Sequence, residues 1–156
     1  MEARLSPHGT PLLGKVLPHL IAANKAVAES GIPAATQELV KIRASQINGC
    51  GACLDMHTKE AAAAGETQHR LLMVAAWREA KAFTEPERAA LELTEAGTRL
   101  ADGAGVPDDV WQNAAKHYDE EQLLALVMLI GVINFFNRMN VMTRQPAGDY
   151  QVGMLH

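Results

Sequence analysis

The sequence predicts an all-α protein of about seven helices, on three observations. Its 156 residues are rich in Ala, Leu, Glu and Lys and poor in aromatic and β-branched runs, a composition that favours helix. No stretch alternates apolar and polar residues as a half-buried strand would. Helix start and stop signals recur along the chain. At 48% hydrophobic and 21% charged, the chain (residues 1–156) reads as one globular domain, long enough to bury a core without disulfide staples.

The elements follow in order. Residues up to about 10 are irregular, with Pro7, Gly9 and Pro11 close together. From Leu12 to Glu29 an apolar helical pattern (Leu13, Val16, Leu17, Leu20, Ile21, Val27) predicts a first helix, disturbed at Pro18 and stopped by Gly31. Pro33 opens a second, which runs to about Ile47 and ends at Asn48-Gly49. A third begins at once, at Cys50, and continues through four alanines to Gly65, so the pair forms an antiparallel hairpin. Thr67 caps a fourth, reaching about Lys81. Thr84-Glu85-Pro86-Glu87 is a capping box with proline in the first turn, and the helix it starts extends to about Ala101, before Gly103 and Gly105. Pro107-Asp108-Asp109 starts the next, ending near His117. Asp119 caps the last, Glu120 to about Met142, beyond which Pro146 and Gly148 preclude further helix. This last helix is apolar nearly all round from Leu123 to Phe136, which predicts burial on every side, at the centre of the domain or between subunits.

Composition narrows the function. A net charge of -4, with no cluster of Lys or Arg, gives no footprint of nucleic-acid binding. The N-terminal segment lacks the apolar core of a signal peptide, and the Leu123 to Phe136 run is short of the roughly 20 residues a spanning helix needs. No membrane association and a cytoplasmic location are therefore expected. In such a reducing compartment two cysteines three apart point to catalysis or metal binding more than to a staple.

Both cysteines lie in Cys50-Gly51-Ala52-Cys53-Leu54-Asp55-Met56-His57. Positions i, i+3 and i+7 share one helix face. A free thiol, with a pKa of about 8.5, is mostly protonated at neutral pH. A helix N-terminus at Cys50, the partner sulfur and His57 as imidazolium could each lower that value. A thiolate so activated can attack a peroxide oxygen and form a sulfenic acid, which a second thiol converts to a disulfide. It could equally attack another protein's disulfide. Two further readings stay open. Cys50, Cys53 and His57 could supply zinc with three ligands, one short of a structural site. The cysteines could also be small core hydrophobes.

Glu38 is the candidate acid-base partner: folding at Asn48-Gly49 sets it opposite residues near Glu60, one turn beyond His57. It could equally be a solvated carboxylate paired with Lys41 at i+3. His8, His19, His69, His117 and His156 have no partner at a suggestive spacing and read as surface or terminal residues. Trp77 and Met56 could wall a pocket, although ordinary core packing explains them better. Gln122 followed by Asn134 and Asn137 repeats the spacing of Glu38 followed by Cys50 and Cys53, an echo that chance accounts for equally well.

Glu38, an eleven-residue gap, and Cys50-x-x-Cys53-x-x-x-His57 resemble the signature of the alkylhydroperoxidase D-like, carboxymuconolactone decarboxylase family. The flanking residues agree: Lys41 to Gly49 before the motif, Asp55 to Ala61 after it, Ala76-Trp77-Arg78-Glu79 and Phe83-Thr84-Glu85. The similarity covers about residues 30–145. The resemblance implies an all-helical fold, a homo-oligomer (trimer or hexamer), and reduction of hydroperoxides by the two cysteines without a cofactor or metal. It also implies regeneration by a dithiol or lipoyl-type reductant, with a peroxiredoxin as a candidate partner. By position, the catalytic residues it implies are Cys53, Cys50, His57 and Glu38, with Cys53 attacking the peroxide and Cys50 resolving. The helix N-terminus, by contrast, favours Cys50 as the more acidic thiol. Better-studied members carry a histidine between the cysteines, where this chain has Ala52. A weaker proton relay hurts peroxide chemistry more than disulfide exchange, so a thiol-disulfide redox adaptor is the alternative. Lactone decarboxylation is a third reading, although decarboxylase members generally lack the cysteine pair.

Overall fold

The computed structural model describes residues 2–7 and 9–154. Among these, seven α-helices and no strands occur: α1 (Pro11–Ala28), α2 (Ala34–Asn48), α3 (Gly51–Ala63), α4 (Gln68–Met73), α5 (Glu85–Thr98), α6 (Asp108–Ala115) and α7 (Glu120–Thr143). The boundaries follow local chemistry. The side chains of Thr10, Thr67, Thr84 and Asp119 cap α1, α4, α5 and α7, and the last two complete reciprocal capping boxes with Glu87 and Gln122. Helix α1 runs through Pro18 without a break.

The helix at the centre is α2, which packs against α7, α5 and α3. Enclosed on three sides, it buries Thr36, Gln37, Leu39, Val40, Ile42, Ala44 and Ser45, a set that spreads round its circumference. One apolar cluster fills the space between α2, α5, α6 and α7, built on Val40, Leu93, Leu126 and Leu129. A second lies on the α3–α4 side, around Leu39, Ile42, Trp77, Phe83 and Leu91.

Of the two sites expected for α7, the centre of the domain is corrected. Within this chain it is buried on one face only; Leu124, Val127, Met128, Phe135, Val141 and Met142 of the opposite face are exposed. An all-round apolar sequence does not say which neighbours exist, and here α2, α5 and α1 cover one side. By length and composition α7 could also cross a membrane, contrary to the reading of its central run alone. In this fold, however, the buried face carries Asn134 and Asn137, hydrogen-bonded to α2 through Asn48 and Ser45.

The fourth helix also departs from expectation. Helix α4 ends at Met73, gives way to a 3₁₀ turn (Val74–Ala76), and does not reach Lys81. Beyond that point tertiary partners compete for the backbone: the Arg88 guanidinium donates to the carbonyls of Trp77, Arg78 and Ala80. The bend lets the buried Trp77 indole donate to Glu95, at 2.9 Å. Trp77 is thus a core residue.

Glu95 is a charge hub. Arg43 reaches it at 2.7 and 2.6 Å, Arg78 also bonds to it, and Arg99 lies at 3.7 Å. Burial opposes its ionisation, but hydrogen bonds from Arg78, Trp77 and Arg43 outweigh that and hold its pKa below the ordinary carboxylate value. Removing Glu95 takes the acceptor from the mostly buried Arg43 guanidinium and Trp77 indole N–H, whereas the half-exposed Arg78 and Arg99 can turn to water. Glu95→Ala should therefore cost about 3–5 kcal/mol, measured by denaturant unfolding of the variant against the wild type.

Candidate active site

The site begins where α2 ends. Gly49 adopts a left-handed conformation (φ 66°), which a residue without Cβ reaches at little cost. Asn48 remains helical and uses its side chain to tie α2 to α7. The reversal places Cys50 as the N-cap of α3, with its Sγ accepting the Cys53 backbone N–H at 3.3 Å. The Cys50 sulfur therefore sits at the positive end of a helix dipole, as the sequence suggested. Cys53, one turn on, is joined to Cys50 in a disulfide with a Cα–Cα distance of 5.4 Å. Both are buried, 1% and 0% exposed, in a small cluster with Ala44 of α2 and Ile133 of α7.

His57 follows Cys53 at i+4 on α3, and its Nδ1 lies 2.9 Å from Glu38 Oε2 across the hairpin. The other carboxylate oxygen of Glu38 accepts from Lys41 Nζ at 2.6 Å. Glu38 thus pairs with Lys41 but is mostly buried, not solvated, and it meets His57 directly with no bridging group. Burial opposes ionisation of Glu38. The His57 hydrogen bond and the charges of His57 and Lys41 more than offset it, lowering the pKa from 4.5 to about 2. An ionised carboxylate only accepts, so Nδ1 must carry the hydrogen and Nε2 is left to take or give a proton.

The structure thus brings the four expected residues into two bonded pairs on one hairpin, Cys50–Cys53 and Glu38–His57. Among the described residues, no group of three or more His, Cys, Asp and Glu is arranged to hold a metal ion. Met56 is half-buried, and His19, His69 and His117 are on the surface as expected; His8 and His156 lie outside the described residues.

Two features escaped the sequence reading. The first is Asn140 of α7, whose Nδ2 donates to Cys53 Sγ at 3.3 Å. Asn134, Asn137 and Asn140 lie at i, i+3 and i+6 in a largely apolar helix, and that spacing was the available signal. The echo of Glu38 and the cysteines in Gln122, Asn134 and Asn137 is not structural: the latter share one unbroken helix, whereas Gly49 divides the former. The second feature is the C-terminal segment. After Arg144 it turns back along α3, where the backbone N–H groups of Gly148 and Tyr150 donate to Asp55 at 2.9 and 3.2 Å. Lys59 donates to the Tyr150 carbonyl at 2.9 Å, and the Tyr150 hydroxyl bonds to Glu60. Ala147 packs so closely on Gly51 that a Cβ there would lie 3.3 Å from its own Cβ. Proline and glycine at 146–148 identified a non-helical tail, but its docking depends on α3.

Because folding lowers the Glu38 pKa, its contribution to stability is present in full above about pH 4.5 and is lost as pH falls towards 2. The stability advantage of the wild type over Glu38→Gln should therefore shrink across that window in denaturant titrations at stepped pH. A difference that does not vary with pH would show that the charge of Glu38 contributes nothing.

Comparison with known proteins identifies the family and the fold. The model of the carboxymuconolactone decarboxylase family matches residues 15–96. The uncharacterized protein YdfG of Bacillus subtilis is 44% identical over 117 residues, 75% of this chain and 79% of its own. A solved structure from Agrobacterium tumefaciens, of a protein of unknown function whose description proposes the antioxidant defence protein AhpD, superposes with a TM-score of 0.86. It is 31% identical and covers 96% of this chain and all (100%) of its own. The debrominase Bmp8 shares the fold, with a TM-score of 0.77 at 19% identity, over 88% of this chain and 75% of its own. The family match over more than half the chain, together with the YdfG identity, establishes that this AhpD-like all-helical protein belongs to the carboxymuconolactone decarboxylase family.

Proposed function

We propose that the protein is a thiol-dependent peroxidase that reduces alkyl hydroperoxides to alcohols through Cys50 and Cys53. The observation that carries this reading is the pairing of two cysteines at bonding distance with a Glu38–His57 couple one helical turn beyond them. In the cycle, the Cys53 thiolate attacks the peroxide oxygen, an S–O bond forms and the O–O bond breaks. The departing alkoxide takes a proton from His57 and leaves as the alcohol. Cys50 then attacks the sulfenic acid, the disulfide forms, and hydroxide leaves as water with a second proton. The Glu38 carboxylate holds His57 with Nε2 free for those transfers. A dithiol or lipoyl-type donor returns the disulfide to two thiols and is itself oxidised.

Burial of both sulfurs favours small or thin reactants over a folded partner's disulfide. It therefore weighs against a redox adaptor, and against a peroxiredoxin as the direct partner. A reducing cytoplasm suits the regeneration step. The assembly is a homo-oligomer, trimer or hexamer, formed through the exposed apolar face of α7.

A thiol count before and after one equivalent of an organic hydroperoxide tests the reading. Both thiols should disappear, with one alcohol formed per chain. Cys53→Ser should abolish the reaction, Cys50→Ser should leave a sulfenic acid on Cys53, and His57→Ala should slow it about 10²-fold or more. Thiols that resist peroxide but oxidise with a small disulfide would identify the adaptor instead. Thiols inert to both would favour decarboxylation. For the assembly, Val127→Glu should yield monomers by light scattering, and an unchanged mass would exclude this face of α7.

A further inference from the structure

The two sulfurs of the disulfide receive different donors. Cys50 Sγ accepts a backbone N–H, that of Cys53, whereas Cys53 Sγ accepts a side-chain amide, Nδ2 of Asn140, at 3.3 Å from another helix. Neither a disulfide sulfur nor a thiolate carries a hydrogen, so the nitrogen of the Asn140 amide must be the atom that faces Cys53. The donor is held by its own helix. One and two turns earlier on α7, Asn137 donates to Ser45 Oγ at 3.0 Å, and Asn134 and Asn137 accept from Asn48 Nδ2, each at 2.9 Å. These bonds set the register of α7 against the end of α2, and hence the position of Asn140 over the start of α3.

We propose that Asn140 is a catalytic residue whose side-chain amide stabilises negative charge on Cys53 and so makes Cys53, not Cys50, the attacking thiol. The inference rests on the thiol chemistry proposed above, and the same contact serves both halves of the cycle. When peroxide is reduced, the amide favours the Cys53 thiolate that attacks. When the disulfide is reduced, a donor thiolate attacks Cys50 Sγ, the S–S bond breaks, and its electron pair leaves on Cys53, where the same N–H receives it. The second donor thiol then releases Cys50 as donor disulfide forms. A hydrogen bond to a charged acceptor is stronger than one to a neutral acceptor, so the preference grows as charge develops on the sulfur.

The test reads each thiol alone. The thiolate pKa of Cys53 is measured in Cys50→Ser, and that of Cys50 in Cys53→Ser, by ultraviolet absorbance, with and without a change at Asn140. Asn140→Leu, which lacks the donor, should raise the Cys53 value by about one unit or more. It should leave the Cys50 value unchanged. Asn140→Asp, which keeps the side-chain shape and reads the same contact if the leucine variant folds poorly, should raise the Cys53 value further. The other ionisable groups of the hairpin and of α7 beside it (Glu38, Lys41, Arg43, Asp55, His57, Lys59, Glu60 and Arg138) are retained in every variant, so they cannot produce a shift confined to one thiol. An unchanged Cys53 value, or equal shifts on both thiols, overturns the proposal. Reaction of Cys50→Ser with hydroperoxide, run alongside, separates the two readings. A selective shift without any reaction supports Asn140 as the donor to Cys53 and rejects peroxide as the substrate.

Discussion

The reversal at Gly49 is the constraint on which the rest depends. A left-handed residue there ends α2 and starts α3 within two residues, so that one cysteine becomes an N-cap and the other falls a turn inside the helix. The same reversal folds α3 back on α2, and only then does His57 meet Glu38, nineteen positions earlier in the chain. A longer connection would let the two helices shift in register, and the cysteine pair would lose its acid-base partner without any change in its own sequence.

Around that hairpin the protein keeps charge in places where water is scarce, and supplies each charge with partners from other elements. Glu38 is held by His57 and Lys41, Glu95 by Arg43, Arg78 and Trp77, and Glu87 by Arg70 and the start of α5. Such pairs add less net stability than their number suggests, because each was desolvated first. Their effect is geometric: each bond has a narrow range of working distances, and several of them cross between helices. Arg43 ties α2 to α5, and Arg70 ties α4 to the N-terminus of α5, which fixes the wall against which the hairpin packs.

Helix α7 plays two parts, divided by its faces. Its asparagine-bearing face locks to the end of α2 and reaches Cys53, whereas its apolar outer face is exposed. Buried carboxamides are costly unless satisfied; here Asn134 and Asn137 both accept from Asn48, Asn134 donates to Thr98 and Asn137 to Ser45. That network specifies one register for a helix whose apolar surface alone would tolerate several.

The sequence by itself determined the all-helical class, most helix boundaries and the cysteine motif with its histidine. These rest on local causes: proline and capping residues at helix starts, glycine at ends, and a helical period that sets i, i+3 and i+7 on one face. It also put Glu38 near the right place, since a two-residue break leaves few ways to fold a hairpin. Tertiary structure decided what depends on contacts distant in the chain. It centred the fold on α2, whose composition is unremarkably polar, and left one side of the apolar α7 uncovered. It ended α4 early because Arg88 claims the carbonyls beyond it, turned the tail back to Asp55 and Lys59, and brought Asn140 to Cys53 from 87 positions away. Hydropathy records how a residue interacts with water, but a hydrogen bond between helices depends on the register and angle at which they pack, and only the folded chain sets those.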